Sequence, residues 1–113
     1  VAINTSTGTP FYSNAALAVG TTTDRDFNIS GALQAFEDFT VAVTTTGTPD
    51  SYSVQVEGSI DGVNFYLIGA PVTQDGIYAI STSGVYVRYI RANITEVSGG
   101  TTPTITMTWD AAA

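Results

Sequence analysis

The sequence predicts an all-β protein: a single-domain antiparallel β-sandwich, jelly-roll-like, with about eight strands. Three observations carry this expectation. Apolar and polar residues alternate with a period of two through most of the chain beyond residue 38, as in strands with one buried and one wet face. Turn-forming clusters of Gly, Pro, Asp and Ser interrupt that alternation about every 8 to 12 residues, the spacing of short strands in sandwiches. A 113-residue chain that is 43% hydrophobic also has enough apolar surface for one core, burying roughly two-thirds of what its unfolded form exposes.

The elements follow in order. Residues 1–10 are polar and Thr-rich, with Gly8 and Pro10. They read as an N-terminal arm, either reaching a neighbouring subunit or trailing as a tail, ahead of a sandwich domain at 11–113. Strands are expected at 11–19 and 26–30. The stretch SGALQAFED at 30–38 sets Leu33 and Phe36 on one helical face, but it is too short to stand as a helix and reads as a turn or single coil. At 37–46, Phe39, Val41 and Val43 alternate with Thr40, Ala42 and Thr44. Threonine suits the wet side, where β-branching favours the pleat and the hydroxyl stays solvated.

Gly47, Pro49 and Asp50 then mark a turn, and Tyr52, Val54 and Val56 alternate with Ser53, Gln55 and Glu57 across a strand at 51–60. The Asp61-Gly62 pair accepts positive φ and predicts a tight hairpin corner, not a working site. Shorter strands follow at 64–70 and 76–81, separated by Gln74-Asp75-Gly76. The stretch 85–96 is apolar on both faces: Val85, Val87 and Tyr89 point one way with Arg91, and Tyr86, Ile90, Ala92 and Ile94 the other way with Arg88. That marks a central strand or one covered by a partner. A buried Arg requires a carboxylate or several carbonyls, and at least one of the two is expected to pair with an internal acid such as Glu57 or Asp61. After a turn at 98–103, Ile105, Met107 and Trp109 form the inner row of a last strand at 103–110.

Composition narrows function. The chain has no Cys, His or Lys, and its only bases are Arg25, Arg88 and Arg91. Disulfides and thiolate metal sites are therefore excluded. A net charge of -7 opposes binding to nucleic acid and to anionic membranes, and no apolar run approaches the roughly 20 residues of a membrane span. Residues 1–10 have neither the basic region nor the apolar block of a secretory leader, so no signal peptide is expected to remain, although a cleaved leader would leave the same start. A serine nucleophile would lack its His or Lys base. Asp24 with Asp26 and Glu37 with Asp38 are the nearest carboxylate pairs in sequence, and both read as solvated acids. No enzyme is expected.

Asp24, Asp26 and Asn28 resemble the start of an EF-hand loop, but Ile29 stands at its Gly position and Ala35 at its Glu position. Asp61, Asn64 and Asp75 are loop residues whose spacing does not by itself make a cation site. No metal or cofactor is expected. The glycosylation triplets at Asn4, Asn28 and Asn93 arise readily by chance in a chain this rich in Ser and Thr. Phe11, Tyr12, Phe65, Tyr66, Tyr78, Tyr86 and Tyr89 read as core or edge packing ahead of a sugar platform.

Two blocks carry a resemblance. In VEGSIDGVNFYLIG (56–69) a strand ends in Ser-x-Asp-Gly-x-Asn-aromatic, at Ser59, Asp61, Gly62, Asn64 and Phe65. In VYVRYIRANITEVSGGTTPTITMTW (85–109) a strand reads Arg-Tyr-x-Arg-Ala-Asn, at Arg88, Tyr89, Arg91, Ala92 and Asn93, before Gly99-Gly100 and a Thr-rich last strand. Over roughly residues 27–110 the chain resembles small β-sandwich virion proteins of tailed bacteriophages. More distantly it resembles discoidin-type domains, although it lacks their cysteines and full length. These markers belong to the fold, so no binding residue transfers.

The resemblance implies a capsid decoration or cement protein that binds the outer capsid surface and stabilises it. The implied partners are the major capsid protein and copies of itself in a homo-oligomer, and the implied location is the virion's capsid surface after synthesis in the host cytoplasm. The residues expected to make subunit or capsid contacts are Val1, Ile3, Phe11 and Tyr12. The alternative is a discoidin-like carbohydrate-binding module, or a tail or baseplate adhesion component.

Overall fold

Alternating side chains bury one face of each long strand, and two such faces close on each other. The computed structural model describes residues 5–7, 10–20, 22–23, 25–26, 38–81 and 87–112, and of 5–7, 25–26 and 111–112 only the backbone. The strands are β1 (Thr5–Thr7), β2 (Tyr12–Ala16), β3 (Arg25–Asp26), β4 (Asp38–Thr46), β5 (Ser51–Ser59), β6 (Tyr66–Leu67), β7 (Gly76–Ser81), β8 (Tyr89–Ser98) and β9 (Thr104–Ala112). In one sheet β4 lies between β7 and β9, and the far edge of β9 is shared by β1 and β2. The other sheet has the order β3-β8-β5-β6. Every pairing is antiparallel. From β3 onward the chain changes sheet at each connection except the β5–β6 hairpin. The fold is the expected β-sandwich.

The inner rows match the two-residue rhythm. Phe39, Val41 and Val43 of β4 and Ile105, Met107 and Trp109 of β9 face Tyr52, Val54 and Val56 of β5 and Ile90, Ala92 and Ile94 of β8, each at most 6% exposed. Burial of each larger side chain contributes about 1.5–3 kcal/mol. Phe11 joins this layer by stacking on Trp109, with ring centroids 5.7 Å apart and planes at 25°.

The structure departs from the sequence expectations in instructive places. Nine strands are present among the described residues, because Thr5–Thr7 pairs with Ala112, Ala111 and Asp110 of the same chain. Part of the polar arm is thus a sheet edge. The strand expected at 64–70 contracts to Tyr66–Leu67, with Val72 returning to β5 as a lone bridge to Val54. Of the strand expected at 26–30 only Asp26 is described, and most of the coil expected at 30–38 lies outside the described residues. The strand expected at 85–96 begins at Tyr89 and is central, between β3 and β5. Its pairing with β5 shifts between Ser53 and Val54, where Thr95 is the extra residue.

One end of the sandwich is closed by two turns in contact. Gly47 has φ +81°, and Thr101 N donates to its carbonyl at 2.9 Å. A Cβ at Gly47 would lie 2.5 Å from Thr101 O and 2.7 Å from Pro103 Cα, so no larger residue fits.

Candidate interaction surface

The β5–β6 hairpin is longer than the tight corner expected at Asp61-Gly62. Its last pair is Gly58 with Tyr66, leaving seven residues, 59–65, to turn the chain. Asp61 and Ser59 build that turn. The backbone N–H groups of Val63 and Asn64 donate to Asp61 Oδ1 at 2.8 and 2.9 Å, Ser59 Oγ donates to the same oxygen at 2.8 Å, and Asn64 Nδ2 donates to Oδ2 at 2.9 Å. The N–H groups of Asp61 and Gly62 donate to Ser59 Oγ at 3.2 and 2.9 Å. These donors, the Asn64 and Val63 amides first, hold the Asp61 carboxyl well below the usual carboxylate range. Gly62 sits at φ +76° against the Tyr89 ring. The Asp-Gly pair is a corner, as expected, and a rigid one.

Beside it runs a brace on the outer face of the four-stranded sheet. Glu57 and Arg91 are cross-strand partners, and Arg91 Nε donates to Glu57 Oε1 at 2.6 Å. Asn93 Nδ2 donates to Oε2 at 3.3 Å, so Glu57, only 7% exposed, is satisfied on both oxygens. The Arg91 guanidinium lies 4.1 Å over the Phe65 ring, a cation–π contact that ties the loop to β8. Of the two acids expected to meet an arginine, Glu57 is the one that does. Behind the sheet, Tyr12 donates its hydroxyl to Ala92 O at 3.1 Å; burial and then the Glu57 charge raise its pKa.

On this scaffold the exposed residues are apolar. Ile60, Val63, Tyr66 and Leu67 are 69%, 78%, 71% and 46% exposed, four of the six large apolar side chains most open to solvent among the described residues. Ile60, Tyr66 and Leu67 also line a cleft of about 470 Å³ with Gly58, Ile68 and Val87. This cluster was not singled out from the sequence. Its signal was there: Ile60 and Val63 flank a turn where polar residues are the rule.

The remaining candidates are dispersed. Asp75 accepts from Thr45 N at 3.0 Å, Thr45 Oγ1 at 2.8 Å and Tyr52 OH at 2.8 Å. Burial pushes its carboxyl up, but these three donors together hold it below its ordinary value. Tyr52 lies near the start of β5, about 23 Å of strand from its last residue Ser59, and Asp61 follows that end, so Asp61 and Asn64 do not meet Asp75 around a cation. Among the described residues no group of three or more acids, His or Cys is placed to hold a metal. Asp24, Asn28 and Glu37 lie outside the described residues, as do the side chain of Asp26 and residues Val1 and Ile3; Asp38 is an exposed β4 residue. Phe11 and Tyr12, expected as contact residues, are each 3% exposed and belong to the core. Tyr78 donates to Gln74 O at 2.6 Å, and Tyr89 packs under Gly62. The described aromatics therefore serve separate contacts.

No protein-family model matches the chain, and no curated protein matches it. Among solved structures it is similar to the SPBc2 prophage-derived protein YomS, with a TM-score of 0.66 and 10% identity over 100% of this chain and 96% of that one. It is also similar to CpGH89CBM32-4, produced by Clostridium perfringens and solved in complex with glcNAc-alpha-1,4-galactose, with a TM-score of 0.54 and 12% identity over 97% of this chain and 89% of that one. At such identities the likeness establishes a shared β-sandwich fold.

Proposed function

We propose that this chain is a non-enzymatic structural protein of a phage particle, a decoration or cement protein that binds the outer capsid surface and stabilises it. The observation that carries the reading is how the side chains divide their work. Glu57, Asp61 and Asp75 hold strands and turns together, while the described surface concentrates apolar groups on one braced hairpin. That division suits adhesion. The end-to-end likeness to a prophage-derived protein supports a phage setting. Many weak contacts repeated over a symmetric shell give avidity without any single strong site. The partners in this reading are the major capsid protein and further copies of the chain, after synthesis in the host cytoplasm.

The test mixes purified protein with mature capsids, separates bound from free by sedimentation, and follows heat-induced release of packaged DNA. Cosedimentation with a raised release temperature supports the reading, and protein that remains in the supernatant refutes it. A second reading, a carbohydrate-binding module, is favoured by the likeness to CpGH89CBM32-4 and by a polar groove of about 500 Å³ lined by Thr45, Asp50, Gln74 and Asp75. Saturable binding on a glycan array that includes glcNAc-alpha-1,4-galactose would decide for it. Antibody labelling of whole particles separates a capsid position from a tail or baseplate one.

A further inference from the structure

We infer that folding locks the two Asp-Gly bonds of this chain, Asp61-Gly62 and Asp75-Gly76, against conversion to isoaspartate, because the surrounding turn or strands tie down each carboxylate. The inference stands apart from the capsid reading, which it neither needs nor tests.

An Asp-Gly bond is open to this reaction because glycine has no side chain to shield its own amide. The Gly nitrogen attacks the Asp side-chain carbon Cγ, and the new C–N bond closes a succinimide ring. The amide proton leaves with the carboxyl oxygen as water. Water then opens the ring at either carbonyl, giving aspartate again or a β-linked residue with one more backbone atom. The first step requires a carboxyl that is neutral, so that water can leave, and free to swing onto the following nitrogen.

Neither requirement is met at Asp61. Ser59 Oγ and the Val63 and Asn64 amides donate to Oδ1, and Asn64 Nδ2 donates to Oδ2, so bringing Cγ onto Gly62 N breaks the turn. The nucleophile is engaged as well, since Gly62 N–H donates to Ser59 Oγ at 2.9 Å. At Asp75 the lock has other parts. Thr45 N donates to Oδ2, Thr45 Oγ1 and Tyr52 OH donate to Oδ1, and Gly76 is paired opposite Val43. All these donors favour the charged form, the Asn64 amide foremost at Asp61; at Asp75 they outweigh the opposing effect of burial. A carboxyl pKa lower by one leaves about a tenth as much neutral acid at a given pH.

Ageing the full chain near neutral pH, native and unfolded in urea, tests the inference, with peptide mapping that resolves β-linked residues. Isoaspartate at both positions should form about tenfold or more slowly in the native chain. Ser59→Ala should speed its formation at 61 alone, and Tyr52→Phe at 75 alone, with circular dichroism unchanged. Asn64→Ala removes an exposed donor and opens the first site without disturbing buried Ser59. The inference is overturned if either bond ages in the native chain as fast as in urea. It is equally overturned if the three variants age like the wild type, since rigidity alone would then protect both bonds. A variant that speeds both positions alike also overturns it, because general loosening would be the cause.

Discussion

Trp109→Ala removes the largest side chain from the face of β9 that closes the core. Trp109 is 5% exposed and stacks on Phe11. An indole buries about 200 Å², which at about 25 cal/mol per Å² gives an upper value near 5 kcal/mol. Large-to-small replacements at buried aromatic sites cost about 3–5 kcal/mol, cavity included. With an unfolding entropy of roughly 0.24 kcal/mol/K for a chain this long, the midpoint should drop by about 13–20 °C. Urea and thermal unfolding followed by far-UV circular dichroism measure it, since Trp109 is the only Trp and its fluorescence leaves with it. Thr108→Ala, one residue away on the exposed face, is the control and should stay within about 0.5 kcal/mol. A loss below about 1 kcal/mol at Trp109, or an equal loss at Thr108, would refute the assignment of faces.

Other outcomes follow from the same structure. Glu57→Ala should cost about 2 kcal/mol in urea unfolding, because it leaves a partly buried Arg91 without its carboxylate; a neutral result would mean that the brace adds nothing. Asp75 has a lowered folded-state pKa, so its stabilisation is complete above the ordinary Asp range and lost as pH falls below about 4. Urea midpoints measured down to about pH 2 should therefore decline more steeply in the wild type than in Asp75→Ala. Gly47→Ala forces a Cβ at φ +81° into backbone atoms of Thr101 and Pro103, and should cost about 1–3 kcal/mol by thermal melt.

The long strands were legible because β4, β5 and β9 each bury one face, so period two is written directly into Phe39–Val41–Val43, Tyr52–Val54–Val56 and Ile105–Met107–Trp109. Glu57 with Arg91 was legible for a related reason, as an arginine on a central strand demands a carboxylate nearby. Local pattern failed where contacts are irregular or distant. Strict alternation sends neighbours to opposite faces, yet Phe11 and Tyr12 are both buried: Phe11 precedes β2 in a bend, and the pairing of β2 shifts after Tyr12. Thr5–Thr7 has no apolar signal in the sequence, and its backbone pairs with β9 as a strand. Asp75 finds Thr45 thirty residues away, a partner that no local spacing encodes. The hairpin patch was missed because the strands expected at 51–60 and 64–70 take in Ile60 and Leu67, whereas β5 ends at Ser59 and β6 is only two residues long.

Adhesion to the capsid is the central claim, and electron cryomicroscopy of the native phage particle tests it most directly. The account predicts density matching this sandwich at repeated positions on the outer shell. Shells bare of that density, or density confined to the tail, would contradict it.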